Sequence, residues 1–284
     1  MTADGLEIKP AGTAPEQLAA YARLLSTVFG AAPKFTEPAL AWRYRDNPVG
    51  VVVGADAWAG DTLAAHYVTC PQWARLEGRR VLGLLSMNTA THPDFQGQGL
   101  FTRLAQATYD LGREAGYAFV IGVANANSTP GLVRRLAFQH VAALNAGALL
   151  RAPRRFAPKA LQYQGDWPLP LIDWRLANPA TRYRVGHSGR LTGVWAPTHL
   201  PLVRCAAFLE TDEDLAPGRG RPLGPALFLG LEPRIDLAEL GFISLPERLR
   251  PSPLNLIWRA LSDAAPANLD PGRTAINFLD FDPY

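Results

Sequence analysis

The sequence predicts an α/β protein, and three observations carry that prediction. The 284-residue chain is 48% hydrophobic and 19% charged, a globular composition with enough apolar material for a large core. Segments of helical and strand periodicity alternate up to about residue 150. The run Tyr117–Val123 is continuously apolar, as a strand covered on both faces should be.

Residues 14 to 29 form the first expected helix. Leu18, Tyr21, Leu24, Leu25 and Val28 recur near a 3.6-residue period, Thr13 and Glu16 have capping-box spacing, Pro15 suits a first turn, and Gly30 ends the segment. A short helix from Pro38 to Tyr44 stops at Asn47-Pro48. Strands follow at Val51–Val53, Thr62–Cys70 and Val81–Thr91, with turn signals at Gly60-Asp61 and Glu77-Gly78. A helix over Leu100–Ala115 carries Leu100, Leu104, Ala107, Thr108 and Leu111 on one face and ends at Gly116. Beyond the Tyr117–Val123 strand come a short helix, Pro130–Leu136, and a strand from Val141 to Leu150.

This organisation predicts a first domain over residues 1–150, a Pro- and Arg-rich linker over 151–170, and a second domain over 171–284. The second part echoes the first. Trp42-Arg43-Tyr44-Arg45-Asp46-Asn47-Pro48 is matched by Trp174-Arg175-Leu176-Ala177-Asn178-Pro179, one residue shorter, and strand-like segments follow both (Tyr183–Val185, Thr192–Trp195 and Val203–Glu210 in the second). A duplicated fold is one explanation; the other is that the two motifs end unrelated helices.

The net charge is only +3, and Lys9, Lys34 and Lys159 are the only lysines. The arginine clusters are short, separated and without interleaved aromatics, so no nucleic-acid surface is expected. Cys70 and Cys205 lie far apart in apolar surroundings and read as buried thiols. No signal-peptide pattern opens the chain and no apolar run suits a membrane span, so a soluble cytoplasmic protein is expected. The five histidines show no metal-ligand spacing, and no metal is expected. Gly186-His187-Ser188-Gly189 departs from a nucleophile elbow at Arg190 and reads as a hairpin turn. The acidic run Glu210–Asp214 reads as a solvated loop.

The segment with chemical content is Thr91-His92-Pro93-Asp94-Phe95-Gln96-Gly97-Gln98-Gly99-Leu100-Phe101-Thr102, between a strand and an amphipathic helix. Two glycines let the backbone turn sharply and leave its amides uncovered above a helix N-terminus, a natural seat for phosphate. A Walker loop would need Gly-Lys-Ser/Thr, and a dinucleotide fingerprint a third glycine where Thr102 stands.

Gln96-Gly97-Gln98-Gly99-Leu100-Phe101 resembles the Arg/Gln-x-x-Gly-x-Gly/Ala signature of the GNAT superfamily of N-acyltransferases, with Phe101 replacing the final small residue. Asn125-Ala126-Asn127-Ser128-Thr129-Pro130-Gly131-Leu132-Val133-Arg134-Arg135-Leu136-Ala137-Phe138 is similar to that family's Asn-rich strand exit, short helix and Gly-Phe end, with Ala137 for Gly. The Trp42-Arg43 and Asn47-Pro48 helix pair is similar to its N-terminal region, and the second half looks like a degenerate second copy, as in tandem members.

The resemblance implies a GNAT fold, with a mixed, splayed central sheet flanked by helices, followed by a divergent GNAT-like α/β domain. It implies acetyl-CoA or another acyl-CoA as co-substrate. The pantetheine arm would pair with Thr89, Ala90 and Thr91, and the amides of Gln96, Gly97, Gln98, Gly99, Leu100, Phe101 and Thr102 would hold the pyrophosphate. Asn125 and Asn127 would lie beside pantetheine or thioester, backbone near Asn88–Ala90 would face the oxyanion, and Ser128 would cap the next helix.

The acid and base are not legible. The family's helix Tyr is Val133 here, and Val81–Thr91 contains no carboxylate. His92, Asp94, His66 and, by analogy with tandem members that use a C-terminal carboxylate, Tyr284 are the catalytic candidates; a lone strand His such as His66 is more often a satisfied core residue, an Asp such as Asp94 more often stabilises a turn, and the chain end also suits a terminal strand. The expected activity is N-acyl transfer, by direct attack, to a small-molecule or peptide amine, with no nucleic-acid or membrane partner; a homodimer is compatible with it. The rival expectations are a non-catalytic acyl-CoA sensor or scaffold and an aminoacyl-transferase of the tandem class.

Overall fold

The computed structural model describes residues 5–198, 202–210, 226–246 and 254–281. It is a mixed α/β structure. A short edge strand, β1 (Glu7–Pro10), precedes α1 (Pro15–Phe29) and α2 (Glu37–Tyr44). Pro15 takes the first helical position, so the N-cap is Ala14, and Gln17 rather than Glu16 reaches back: its Oε1 accepts from the Ala14 N–H at 3.0 Å. The capping pair expected at Thr13 and Glu16 is therefore displaced by one residue.

Strands β2 (Val53–Ala59), β3 (Thr62–Leu76) and β4 (Arg79–Thr91) form an antiparallel meander. Its turns fall on the expected punctuation, with Gly60 at φ 57° and the pair Glu77-Gly78 at φ 49° and 82°. Helix α3 (Leu100–Glu114) then crosses to β5 (Phe119–Ala124), which lies parallel to β4. Gly83 on β4 leaves room for the Phe119 ring, whose nearest carbon would lie 2.1 Å from an added Cβ.

After α4 (Thr129–Leu136), the single strand expected from Val141 to Leu150 is two, β6 (Gln139–Ala143) and β7 (Asn145–Leu149). The break at Leu144, whose N–H donates to the Leu254 carbonyl at 2.8 Å, sends the two strands to different neighbours. Residues 151–170 contain a short strand, β8 (Tyr163–Gly165), which pairs with the far end of β3.

Helix α5 (Leu169–Leu176) leads into β9 (Arg184–Ser188), β10 (Leu191–Pro197), β11 (Arg204–Leu209) and β12 (Ala226–Leu231). The β9–β10 connection is a hairpin with Gly189 at φ 65°, and Ser188 donates its hydroxyl to the Pro153 carbonyl, so this serine is structural. Strands β13 (Phe242–Ser244), β14 (Asn255–Ala260) and β15 (Thr274–Asn277) precede α6 (Phe278–Phe281), a helical turn rather than the terminal strand weighed as the alternative for the chain end.

The pairing of these strands repeats. Along β2-β3-β4-β5 the pairs run antiparallel, antiparallel, parallel; β9-β10-β11-β12 do the same. Among the described residues, two strands cross between the halves. β14, from the second half, lies antiparallel between β5 and β6, and β7, from the first, lies antiparallel between β12 and β13. The Trp-Arg and Asn-Pro echo sits where the repeats meet. The Trp42 and Trp174 rings stack at 4.4 Å, and each indole N–H donates to the other's backbone carbonyl, at 3.1 and 3.2 Å. Asn47 and Asn178 each accept the N–H two residues on, at 3.0 and 2.8 Å.

The exchanged strand β14 anchors a shared core. Leu256, Ile257 and Trp258 are at most 1% exposed, and the Trp258 ring stacks on Phe119 at 4.6 Å. Burying such side chains contributes roughly 2–3 kcal/mol each.

Candidate active site

β4 has β3 along one edge for its whole length, but β5 pairs with it only from Leu84 to Ser86. From Met87 onward the two parallel strands part. At the same place the β3–β4 register shifts: Val68 faces Met87 and His66 faces Ala90, so Asn88 and Thr89 together stand opposite Tyr67. Asn88 adopts φ 45°, a left-handed conformation that Asn tolerates better than most residues. Such a bulge interrupts the ladder and re-aims side chains. The result is a cleft of about 490 Å³, walled by Met87, Asn88 and Thr89 on one side and Val123, Ala124 and Asn125 on the other. Phe29, Phe35, Leu254 and Phe281 close it from α1, the following turn and the second half of the chain.

Beyond β4 the chain makes a 3-10 turn at Pro93–Phe95, pinned by buried Phe95, and reaches α3 through Gln96-Gly97-Gln98-Gly99. Gly97 and Gly99 have φ 79° and 71°, and a Cβ at either would meet nothing within 4 Å. The glycines thus set backbone direction over open space. Gly99 is the N-cap and has no side chain to cap the first-turn amides of Leu100, Phe101 and Thr102. Those donors, at the positive end of a 15-residue helix, suit an anionic phosphate group. Leu100 itself is a core side chain, 2% exposed, so only its backbone faces this space. Phe101, the departure from the family pattern, lines the cleft edge-on to Tyr67 at 6.3 Å.

Two hydrogen-bonded chains back the cleft. In the first, Tyr67 bridges the Ser86 hydroxyl at 2.8 Å and the Tyr109 hydroxyl at 2.7 Å, where β4 and β5 part. Burial pushes the Tyr67 hydroxyl up to about 12, so it stays neutral. In the second, the Asn88 amide donates to the Tyr44 hydroxyl at 2.8 Å, and Tyr44 meets His66 Nε2 at 3.1 Å. His66 Nδ1 meets Asp56 Oδ1 at 2.6 Å, and the Tyr21 hydroxyl donates to Asp56 Oδ2 at 2.6 Å. His66 and Asp56 are 0% exposed. Burial raises Tyr44 and Tyr21 far above the ordinary tyrosine range; the Asn88 hydrogen bond opposes this at Tyr44, while Asp56 adds to it at Tyr21. The Cys70 thiol, pushed up to about 12 by burial, is no nucleophile.

The structure separates the candidates. His66 is sealed beneath Tyr44 and reaches the cleft only through Tyr44 and Asn88. His92 and Asp94 form the turn before the loop, where the Asp94 N–H donates to His92 Nδ1 at 3.3 Å, and neither lines the cleft. Tyr284 lies outside the described residues; Phe281, before it, lines the cleft. Thr89 lines the cleft, whereas the Ala90 side chain is 3% exposed within the α1 core and Thr91 is paired opposite Ala65.

Asn125 is at the cleft wall but is engaged: its Oδ1 accepts from the N–H groups of Asn127 and Ser128, at 3.0 and 2.9 Å, and from the Ser128 hydroxyl at 3.0 Å. The capping expected of Ser128 thus falls to Asn125, because Ser128 has helical backbone angles (φ −86°, ψ −30°). Asn127 is exposed and does not line the cleft. Tyr44, Asp56, Tyr67 and Ser86 were missed from the sequence. The usable signal was Asp56, a lone charge among Ala and Trp in a strand, which must find a partner if buried.

A larger hollow, about 660 Å³, lies over the second half, where β11 and β12 part. Most of its charges are paired: Asp166 is held by Arg75 and Arg80 at 2.9 and 2.6 Å, and Arg234 pairs with Glu232 at 2.7 Å and Glu210 at 3.1 Å, while Asp280 accepts the Trp167 indole and Asn277 N–H groups. The smaller cleft, with its bulge and its neighbouring glycine loop, is the better catalytic candidate.

Comparison with known proteins agrees with this geometry. Residues 9–141 match the family described as the acetyltransferase (GNAT) domain. No curated protein matches the chain. Among solved structures, Eis1 from Mycobacterium abscessus is similar over 90% of this chain and 74% of its own, with TM-score 0.58 and 14% identity. A GCN5-related N-acetyltransferase from Kribbella flavida is similar over 92% and 72%, with TM-score 0.58 and 13% identity. An Enterococcus faecalis protein described as a probable N-acyltransferase is similar over 90% and 72%, with TM-score 0.58 and 10% identity. At these identities the likeness is one of fold. No described helix is long and apolar enough to cross a membrane.

Proposed function

We propose that the protein, whose residues 9–141 match the acetyltransferase (GNAT) domain family, transfers an acyl group, most simply acetyl, from acyl-CoA to the nitrogen of an amine. The observation that carries this reading is one coincidence: β4 parts from β5 after Ser86, bulges at Asn88 and Thr89, and runs into an open glycine loop at an uncapped helix N-terminus. The released β4 edge beyond Met87 suits the amides of a pantetheine arm, and the backbone of Gln96–Thr102 suits its pyrophosphate. The amine attacks the thioester carbonyl, the C–S bond breaks, and the amine proton leaves to solvent or a base while the thiolate departs. Bulge backbone N–H groups are the assigned donors to the oxyanion. The cleft closes where Ser86 pairs with Gly122, a Cβ on which would lie 3.1 Å from Ser86 Cβ. That narrow, hydroxyl-lined end favours a short acyl group. The two free, buried cysteines suit a reducing cytoplasm.

Titration of the protein with acetyl-CoA, beside a Gly99→Trp variant, tests this. Micromolar binding abolished in the variant, followed by transfer to an amine panel, is expected; absence of binding to acetyl-CoA, CoA and longer acyl-CoAs overturns it. One observation favours a second reading, a non-catalytic acyl-CoA sensor: no Asp or Glu is among the described residues lining the cleft. Tight binding without turnover on any amine would select that reading.

A further inference from the structure

The chain from Asp56 to the cleft has a direction fixed by hydrogen-bond accounting. An ionised carboxylate only accepts, so Asp56 takes the Tyr21 O–H on Oδ2 and a His66 N–H on Oδ1. The Gly12 N–H donates to the Tyr21 oxygen at 3.1 Å, which leaves Tyr21 free to spend its one proton on Asp56. An imidazole that carries its proton on Nδ1, toward Asp56, presents Nε2 as an acceptor, and among the described residues the Tyr44 hydroxyl, 3.1 Å away, donates to it. Tyr44 then has only lone pairs to offer Asn88, which must turn its NH₂ inward. The Asn88 carbonyl Oδ1 is therefore left at the cleft, where no described residue hydrogen-bonds to it.

We propose that Asn88 Oδ1 accepts an N–H of the attacking amine, and that Tyr44, His66 and Asp56 are positioning residues that hold the Asn88 amide in the one orientation that offers an acceptor. The inference rests on the N-acyltransfer reading. Attack requires a neutral amine whose lone pair faces the thioester while an N–H points elsewhere. A carboxylate at this position would stabilise the ammonium form, which has no lone pair; a neutral carbonyl orients the amine without that penalty. The bulge that carries Asn88 at φ 45° places this carbonyl beside the backbone assigned to the oxyanion, so both partners of the reaction meet one strand irregularity.

The test compares the full-length protein with Asn88→Gly, which tolerates the left-handed backbone, and Tyr44→Phe, which keeps the ring and loses only the hydroxyl. For each, acetyl-CoA binding is measured by titration, and kcat/KM for acetyl transfer to primary amines, aniline among them, by thiol release. The expected result is acetyl-CoA affinity within about twofold of wild type and kcat/KM for the amine down about tenfold or more in both, the loss of one hydrogen bond. The His66 imidazole nitrogens, read by ¹⁵N–¹H correlation, are expected to show the Nδ1–H tautomer. Unchanged kcat/KM in the variants, an Nε2–H tautomer, or a parallel loss of acetyl-CoA affinity overturns the inference while leaving acyl transfer intact. Absence of transfer by the wild-type protein to any amine overturns both.

Discussion

His66→Leu isolates the energetic role of the buried chain. Leu is close in volume and apolar, so it fills the site without a large void, but Asp56 loses its 2.6 Å partner and the Tyr44 hydroxyl its acceptor at 3.1 Å. Asp56 is 0% exposed, so water cannot substitute. Removing one member of a buried, hydrogen-bonded pair costs about 3–5 kcal/mol, because the partner stays behind. The orphaned Tyr44 donor adds about 1–3 kcal/mol, and burial of the Leu side chain returns about 2 kcal/mol. The net loss is about 2–6 kcal/mol, large against the total stability of a domain. Urea unfolding followed by fluorescence reads it as a lower midpoint at unchanged slope. The double variant Asp56→Leu with His66→Leu removes the orphaned charge but also takes the acceptor from the Tyr21 hydroxyl, so its loss is expected to fall short of the sum of the two single variants. A loss below about 1 kcal/mol in the single variant, or full additivity in the double, would refute a coupled pair.

Two further outcomes follow from strain and charge elsewhere. Burial pushes the Asp280 carboxyl up to about 6, against the opposing Asn277 N–H and Trp167 indole N–H that it accepts. A folded-state value above the unfolded one gives stability that is present below the ordinary carboxylate range and lost as pH rises through about 6. Asp280→Asn should flatten the stability profile between roughly pH 4 and 6 by about 2–3 kcal/mol, read by denaturant midpoints across that range. Ala137, where the family pattern has Gly, sits at φ 52° and ψ 35° at the end of α4, so Ala137→Gly should raise stability by roughly 1 kcal/mol. A lowered melting temperature would contradict that reading.

What could be read from the sequence was local. α1, α2, α3 and β5 appear within a few residues of their expected spans, because a 3.6-residue period or a short apolar run is written in neighbouring residues. Gly97 and Gly99 were legible for the same reason: a turn that needs left-handed backbone needs glycine wherever the rest of the chain goes. The bulge at Asn88 was not legible. It is a register shift against β3, and nothing in Ser86–Thr91 states which residue will oppose Tyr67. The role of His66 was open because its partners, Tyr44 and Asp56, lie on other elements and only the fold brings them together. The break at Leu144 is equally non-local, since β6 and β7 separate to serve strands far along the chain.

The exchange of β7 and β14 makes the cleft a joint product of both halves, although the described glycine loop, Gln96–Gly99, lies in the first. Residues 92–118 connect β4 to β5, whereas residues 210–225 connect the corresponding β11 and β12. Yet Leu254 and Ile257 line the first-half cleft, and among the described residues β14 is the strand partner of β5 on the edge away from β4. A fragment ending at residue 150 would expose that edge, and it would uncover Ile121 and Phe119, which pack with Leu256 and Trp258. Unpaired, apolar parallel-sheet edges recruit other chains. The fragment is therefore expected to aggregate or to lack cooperative unfolding, and to bind acetyl-CoA at least tenfold more weakly than the full chain, a conservative loss for a cleft missing one wall. Restoring residues 254–281 through a linker should recover folding in part. A 1–150 fragment that unfolds cooperatively and binds acetyl-CoA as tightly as the full chain would show that the exchanged strand only decorates the site.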